Sequence, residues 1–177
     1  MIYFRSDDIV IRDFAESDAQ IITDAEIAQG WINQKVDKYL NRLKDRDAGK
    51  CVSLAAEYRR NVAGYVSVYP DSPWGALGGR GYAEIIDFGV LEKYRGRGVG
   101  STLMDVAERI ASETADTVYL GVGLHRDYGS AQRMYVKRGY VPDGSGLWYR
   151  DKPLEPYAPL NNDDEACLYL SKKLRRG

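Results

Sequence analysis

The sequence predicts a mixed α/β fold built on a central sheet, and three observations support this prediction. Runs of alternating apolar and polar residues, typical of half-buried strands, occur in the first half of the chain. Other segments carry apolar residues at intervals of three and four, as amphipathic helices do. Thr117–Leu124 is almost continuously apolar, which is typical of a central strand. At 177 residues, the chain is expected to form a single domain over residues 1–177.

The first elements follow from local signals. Ile9–Phe14 alternates and predicts a strand. Ser17 and Gln20 form a capping-box pattern that predicts a helix to about Gln29, which Gly30 ends.

A second helix, a hairpin and a loop are predicted next. Gln34–Asp47 is the helix, and Cys51–Arg59 and Val62–Tyr69 are strands joined at Arg60-Asn61. Pro70–Gly81 is a loop rich in Pro and Gly. One face of the helix is apolar, at Val36, Tyr39, Leu40 and Leu43.

The second half alternates strands with helices. The helix after a glycine-rich turn has an apolar face at Val99, Leu103, Val106 and Ile110. Three further strands are predicted at Tyr82–Val90, Leu147–Arg150 and Ala166–Lys172, and a helix is predicted at Gly129–Arg138. The last two strands are separated by a stiff proline-containing loop at Asp151–Glu165.

The glycine-rich turn is the strongest functional signal. Gly96, Gly98 and Gly100 leave backbone N–H groups free to converge, and the following helix adds its own N-terminal N–H groups. Such a helix start binds phosphate or pyrophosphate. Arg95 and Arg97 add charge-assisted hydrogen bonds. The turn therefore predicts a site for a phosphate-bearing ligand.

Two other phosphate-binding patterns fit this turn less well. The P-loop requires a Lys after its last glycine, and none follows here. The dinucleotide fingerprint is G-x-G-x-x-G, whereas this turn reads G-x-G-x-G followed by Ser101. Asp116 stands at the distance expected of a ribose-binding acid, but it precedes a predicted strand instead of ending one.

The segment Arg95–Gly100 reads R-x-x-G-x-G and resembles the acetyl-CoA signature of the GNAT superfamily of N-acetyltransferases. Ser130–Tyr140 resembles the A-x-x-x-Y-x-x-x-G-[FY] helix and turn of the same family. Tyr128 is a departure, because many members carry Asn three residues before that Ala. The resemblance covers roughly Val10–Leu174.

The resemblance implies a twisted, mixed and mostly antiparallel central sheet, flanked by helices and splayed between its fourth and fifth strands. Gly89 marks either a bulge or a close backbone approach in this region. The resemblance also implies that acetyl-CoA is the acetyl donor and that the backbone of one strand pairs with its pantetheine arm. The implied cofactor-binding residues are Phe88, Val90, Arg95, Gly96, Arg97, Gly98, Val99, Gly100 and Ser101.

Direct acetyl transfer to a primary amine needs an acid and a base. By resemblance, Tyr135 is the acid that protonates the leaving thiolate, and Glu84, in an otherwise apolar strand, is the base. Asp87 and water alone stay open as alternatives to Glu84. His125, the only histidine, lies at the end of the central strand, where ligands of open α/β sheets gather. It has no metal-ligand spacing with other residues, so we expect no metal.

The acceptor is expected to be a small amine or a flexible amine-bearing chain. Trp31, Trp74 and Asp71 belong to segments that flank the acceptor side in the family, and they suit a cation. A non-catalytic CoA-binding regulatory or accessory module of the same fold is the alternative function. Many members of the family dimerise, so a homodimer is compatible with the sequence.

Composition excludes several partners. The net charge of −1 gives no broad basic surface for nucleic acid. No signal-like segment opens the chain and no apolar run has membrane-spanning length, so no membrane is expected as a partner. Cys51 and Cys167 are expected to be reduced, which favours a cytoplasmic location.

Overall fold

The computed structural model describes residues 1–32 and 34–174, and the chain divides into two compact units. The first unit comprises Met1–Tyr69 and Ile85–Ile110, and the second comprises Pro70–Glu84 and the chain from Ala111 onward. The expectation of a single domain stays a prediction.

The first unit holds five neighbouring strands, and the β1–β2, β2–β3 and β3–β4 pairs are antiparallel. Arg59 and Arg60, both with positive φ, form the two-residue turn between β3 and β4, one position earlier than predicted. The elements are β1 Ile2–Arg5, β2 Ile9–Asp13, α1 Glu16–Ala28, α2 Val36–Asp47, β3 Val52–Tyr58, β4 Asn61–Tyr69, β5 Ala83–Val90 and α3 Val99–Ser112.

Helices α1 and α2 pack against one face of these strands. The apolar face predicted for the second helix is confirmed, because Tyr39 and Leu43 are buried and Val36 and Leu40 pack against them. The buried cluster on this face consists of Phe14, Ala19, Ile22, Tyr39, Leu43, Ala55 and Tyr65.

Helix α3 packs on the opposite face of the strands. Successive strand residues point to opposite faces, so Gly64 faces away from the cluster that contains Tyr65. A Cβ atom at Gly64 would lie 3.1 Å from a methyl carbon of Leu103 and 2.6 Å from the carbonyl oxygen of Gly89. Strands β4 and β5 therefore meet at a point with no room for a side chain. The predicted apolar face of α3 is buried, at Val99, Leu103, Val106 and Ile110.

We expect Gly64→Ala to lower the free energy of unfolding by about 1–3 kcal/mol, because the added methyl group must push β5 away from β4. Urea unfolding measures the change. Gly129→Ala is the matched control, since a Cβ atom there meets nothing within 4 Å and the backbone is helical. If Gly64→Ala proved as stable as the wild type, the close approach of the two strands would be contradicted.

Strand pairing in the second unit includes the first two residues of β5. Ala83 and Glu84 pair in parallel with Val118 and Tyr119 at the beginning of β6. The pairs β6–β9, β9–β7 and β7–β8 are antiparallel, so the strands form the mixed, mostly antiparallel arrangement that was predicted. The elements are β6 Thr117–Gly123, α4 Gly129–Lys137, β7 Val141–Tyr149, β8 Lys152–Pro153 and β9 Ala166–Lys173.

The predicted start of the first helix was wrong. Helix α1 begins at Glu16, and the carboxylate of Asp18 accepts the backbone N–H of Ala15 at 2.7 Å. Arg12 donates to the same carboxylate at 2.6 Å. This partly buried ion pair holds Asp18 over the helix start, so the expected pair of Ser17 and Gln20 does not form the cap.

Three strand segments were missed. Ile2–Arg5 is an additional first strand on the edge of the sheet. The strand expected at Leu147–Arg150 begins at Val141 instead. The supposed loop after it opens with a tight turn at Arg150 and Asp151, both with positive φ, which leads into β8.

Candidate functional site

The glycine turn in the first unit is fixed by its backbone and by packing. Gly96 and Gly98 have φ values of +73° and +84°, in the left-handed region that favours glycine. Gly100 has a different reason to be glycine. A Cβ atom there would lie 3.3 Å from the ring of Phe88 and 3.4 Å from a methyl carbon of Val90.

The start of α3 presents backbone donors at this turn. The N–H of Thr102 donates to the carbonyl of Gly98 at 3.0 Å, and the Thr102 hydroxyl donates to the same carbonyl at 3.0 Å. Val99, Gly100 and Ser101 precede Thr102 in the first turn of the helix, where backbone N–H groups have no carbonyl acceptor within the helix itself. Together with the positive end of the helix dipole, they form a donor set suited to an anion.

The two arginines of the turn are exposed, and each packs on an aromatic ring. The guanidinium of Arg95 lies 5.6 Å from the centre of the Trp31 ring, and its Nε donates to the carbonyl of Val90 at 3.3 Å. The guanidinium of Arg97 lies 5.4 Å from the centre of the Tyr58 ring. Both positive charges are therefore held next to the turn.

Trp31 contacts the glycine turn. Besides stacking on Arg95, its indole N–H donates to the carboxylate of Glu92 at 3.3 Å. The sequence predicts that Asp71, Trp74 and Trp31 contact the acceptor. Asp71 and Trp74 are exposed and belong to the second unit.

Strand β5 is locally distorted at Asp87, whose φ of +52° is unusual for a residue other than glycine. Its carboxylate accepts Arg42 Nε at 2.5 Å and lies 3.7 Å from Lys38 Nζ. Two residues later, the ring of Tyr65 packs closely on the backbone at Gly89, where a Cβ atom would lie 2.5 Å from that ring. Of the two alternatives that the sequence left for Gly89, the structure supports close approach.

Glu84 is buried in the second unit, with 5% of the residue exposed. Its carboxylate accepts the hydroxyl of Ser72, which is also buried. The Ser72 oxygen in turn accepts the backbone N–H of Trp74 at 3.3 Å. The carboxylate is therefore connected by hydrogen bonds to the loop that carries Asp71 and Trp74.

Two buried tyrosines lie close enough to this carboxylate for its charge to affect their pKa values. Burial raises the pKa of Tyr119 and the charge of Glu84 raises it further, while the Tyr119 hydroxyl donates to the Trp74 carbonyl at 2.7 Å. The ring of Tyr169 lies 6.3 Å from that of Tyr119, and burial raises its pKa as well. Both phenols therefore stay protonated near neutral pH.

Tyr135 lies on α4 and is 5% exposed. Burial raises the pKa of its hydroxyl above the ordinary value for tyrosine. Its ring lies 5.8 Å from that of Tyr140. A phenol in this environment keeps its proton at neutral pH.

His125 has partners in the second unit. Its Nε2 lies 2.9 Å from the carboxylate of Asp164, which also accepts the Tyr128 hydroxyl at 2.9 Å. Gly123 makes room for this arrangement, because a Cβ atom there would lie 2.3 Å from the Tyr128 ring. Tyr128, the departure from the family pattern, thus ties the start of α4 to the loop before β9.

The sequence reasoning missed Glu26, which is fully buried on α1. Its carboxylate accepts the hydroxyl of Tyr39 at 2.6 Å and that of Tyr65. The available signal was its position four residues after Ile22, inside the apolar stripe of the helix. A carboxylate at such a position requires polar partners. Ser72 and Arg42 were missed as well, and no local pattern points to them.

Neither a membrane-spanning helix nor a metal-binding cluster occurs in residues 1–32 and 34–174. No helix in these ranges is both long and apolar enough to span a membrane. Nor do these residues contain a group of three or more His, Cys, Asp or Glu side chains placed to hold a metal ion.

Comparison with protein-family models matches residues 18–140 to the acetyltransferase (GNAT) family. The matched region includes the glycine turn, Glu84 and Tyr135. Comparison with the curated proteins gives no match.

Solved structures of this fold cover nearly the whole chain. One is an acetyl transferase from Salmonella typhimurium that modifies the N-terminal serine of ribosomal protein L7/L12 (TM-score 0.72, 12% identity, 99% of this chain and 100% of that chain). Another is RimL, an L7/L12 alpha-N-protein acetyltransferase, in complex with coenzyme A (TM-score 0.71, 11% identity, 100% of this chain and 100% of that chain). A third is Ard1 from Thermoplasma volcanium (TM-score 0.69, 20% identity, 94% of this chain and 98% of that chain). The chain belongs to the GNAT family of acetyl-CoA-dependent N-acetyltransferases.

Proposed function

We propose that the glycine turn binds the pyrophosphate of acetyl-CoA and that β5 presents the acetyl group. The observation that carries this proposal is the start of α3, where left-handed glycines expose backbone donors between two arginines. The backbone of β5 pairs with the pantetheine amides in the manner of an added strand. The proposed cofactor-binding residues are Phe88, Val90, Arg95, Gly96, Arg97, Gly98, Val99, Gly100 and Ser101.

In the proposed reaction, the neutral amine of the acceptor attacks the thioester carbonyl. The new N–C bond forms first, and the N–H of Val90 stabilises the resulting oxyanion. The C–S bond then breaks, and Tyr135 gives its proton to the departing thiolate of CoA. Glu84 takes the proton that the amine loses, through a water molecule. The products are an N-acetylated amine and CoA with a free thiol, and proton exchange with solvent returns Glu84 to its carboxylate and Tyr135 to its neutral phenol.

Glu84 is preferred to Asp87 as the base because of their different partners. The carboxylate of Asp87 accepts Arg42 Nε at 2.5 Å and lies 3.7 Å from Lys38 Nζ, so two cationic side chains are paired with it. Glu84 instead accepts the hydroxyl of Ser72, which links it to the loop that carries Asp71 and Trp74, the residues proposed to contact the acceptor.

The acceptor is proposed to be a primary amine, either a small molecule or the flexible end of a chain. Similarity to an enzyme that modifies an N-terminal serine supports the second form. Asp71 and Trp74 are proposed to contact the acceptor, since both are exposed on the loop joined to Glu84 through Ser72. For Trp31, its contact with Arg95 favours a role at the cofactor turn over a role with the acceptor. A cytoplasmic location is proposed on the two free cysteines.

Release of CoA thiol in the presence of acetyl-CoA and a panel of amines tests this function. The panel should include polyamines, amino acids, lysine-containing peptides and peptides with free N-termini. Amine-dependent thiol release is expected for at least one class. Tight binding of acetyl-CoA without thiol release for any amine would instead support the non-catalytic CoA-binding module.

A further inference from the structure

Two tyrosine rings of the first unit form a corner that holds a primary ammonium group. The rings of Tyr39 on α2 and Tyr65 on β4 meet almost at right angles, with centres 5.0 Å apart and an interplanar angle of 82°. Lys38 Nζ lies 5.1 Å from the centre of the Tyr39 ring and 5.4 Å from that of Tyr65. Asp87 completes the arrangement with its carboxylate 3.7 Å from the same nitrogen.

The buried carboxylate of Glu26 explains why the corner suits a cation. Both tyrosine hydroxyls donate to it, which fixes the orientation of both rings. A phenol that donates to a carboxylate becomes more electron-rich, and this strengthens the attraction of its ring face for a positive charge. Glu26 is otherwise unexplained by the proposed chemistry, although it is completely buried.

The corner lies against the strand proposed to present the acetyl group. A Cβ atom at Gly89 would lie 2.6 Å from the hydroxyl oxygen of Tyr65, so this tyrosine touches β5 between Phe88 and Val90. Asp87, the acidic member of the corner, belongs to the same strand. The side chain of Lys38 is 36% exposed, so the residue that occupies this position reaches solvent.

We propose that Tyr39, Tyr65 and Asp87 form an ammonium cage for the primary amine of the acceptor, and that Lys38 occupies this cage in the free protein. The inference rests on the proposed function, because it assigns the acceptor subsite of that reaction. Lys38 is then an internal competitor, which a cationic alkylamine must displace. The structure itself supplies the evidence for the ligand class, since a primary ammonium on an alkyl chain is the group held there.

The test uses n-butylamine, which carries the ammonium and alkyl chain of lysine without its backbone. Its acetylation is followed by thiol release and by formation of N-butylacetamide. Removing the competitor in Lys38→Ala is expected to lower the KM for n-butylamine roughly three- to thirtyfold, the range expected for a cation held by aromatic rings and a carboxylate. The KM for acetyl-CoA should not change.

Two variants serve as controls. Lys38→Met removes the charge but fills the corner with an apolar chain, so it should not lower the KM for n-butylamine. Lys44→Ala removes an exposed lysine of the same helix and should behave as the wild type. NMR detection of n-butylammonium binding gives a second readout that does not depend on turnover, with binding expected in Lys38→Ala and not in Lys38→Met.

Absence of n-butylammonium binding in Lys38→Ala, or equal binding in the Ala and Met variants, would overturn the assignment. An unchanged KM for n-butylamine in Lys38→Ala would do the same. These outcomes are distinct from failure of the proposed function, in which the wild type itself would not bind acetyl-CoA in calorimetry. Urea midpoints of all variants separate a lost site from a lost fold.

Discussion

Replacing Tyr135 by Phe is expected to lower kcat for acetyl transfer roughly 10²–10⁴-fold, the usual contribution of a general acid. The affinity for acetyl-CoA should stay nearly the same, because the hydroxyl acts only as the thiolate forms. The physical reason lies in burial, which raises the pKa of this phenol and keeps it protonated at neutral pH. Steady-state kinetics with a fixed amine, combined with calorimetric titration of acetyl-CoA, measure the two effects separately.

Tyr140→Phe is the matched control for this variant. The ring of Tyr140 lies 5.8 Å from that of Tyr135 and is also buried, but the family motif gives Tyr140 no catalytic role. If Tyr135→Phe kept the wild-type kcat, or if both variants lost activity together with stability, Tyr135 would be a core residue and the acid would have to be sought elsewhere.

Glu84→Gln is expected to lower kcat/KM by a similar factor of roughly 10²–10⁴ and to remove the acidic limb of the pH–rate profile. The base works only as a carboxylate, so the activity of the wild type falls as the pH is lowered and this group is protonated. Glutamine is nearly isosteric and still accepts the Ser72 hydroxyl, but it takes up no proton near neutral pH. Measuring kcat/KM across the acidic range tests the prediction.

Asp87→Asn separates the two candidate bases. It weakens the ion pair with Arg42 at a distorted position of β5, so a loss of stability is expected without loss of the acidic limb. An acidic limb that survives in Glu84→Gln and disappears in Asp87→Asn would assign the base to Asp87.

The elements that the sequence predicted well are those whose signal is local. The face of α2 at Tyr39 and Leu43 and the apolar spacing of α3 follow from the period of a helix, and both faces are buried. The position of the glycine turn was predictable for a similar reason. Its left-handed residues, Gly96 and Gly98, need glycine whatever the rest of the chain does.

The features that were missed depend on contacts between distant parts of the chain. The start of α1 is decided by Arg12, which lies outside the helix and holds Asp18 in place of the expected cap. The partner of Asp87 is Arg42, 45 positions away in sequence. The corner that holds Lys38 requires α2 and β4 to be packed together. No window of the sequence contains both partners of such a contact, so periodicity and spacing cannot reveal it.

The most direct test of the account is the affinity of the glycine turn for CoA, measured by calorimetric titration of the wild type and Gly98→Val. Gly144→Val is the control, because Gly144 has nearly the same backbone strain, with φ of +89° against +84°, and belongs to the second unit. The account predicts that CoA binding is lost or greatly weakened in Gly98→Val and retained in Gly144→Val. Unchanged affinity for CoA in a folded Gly98→Val protein would contradict it.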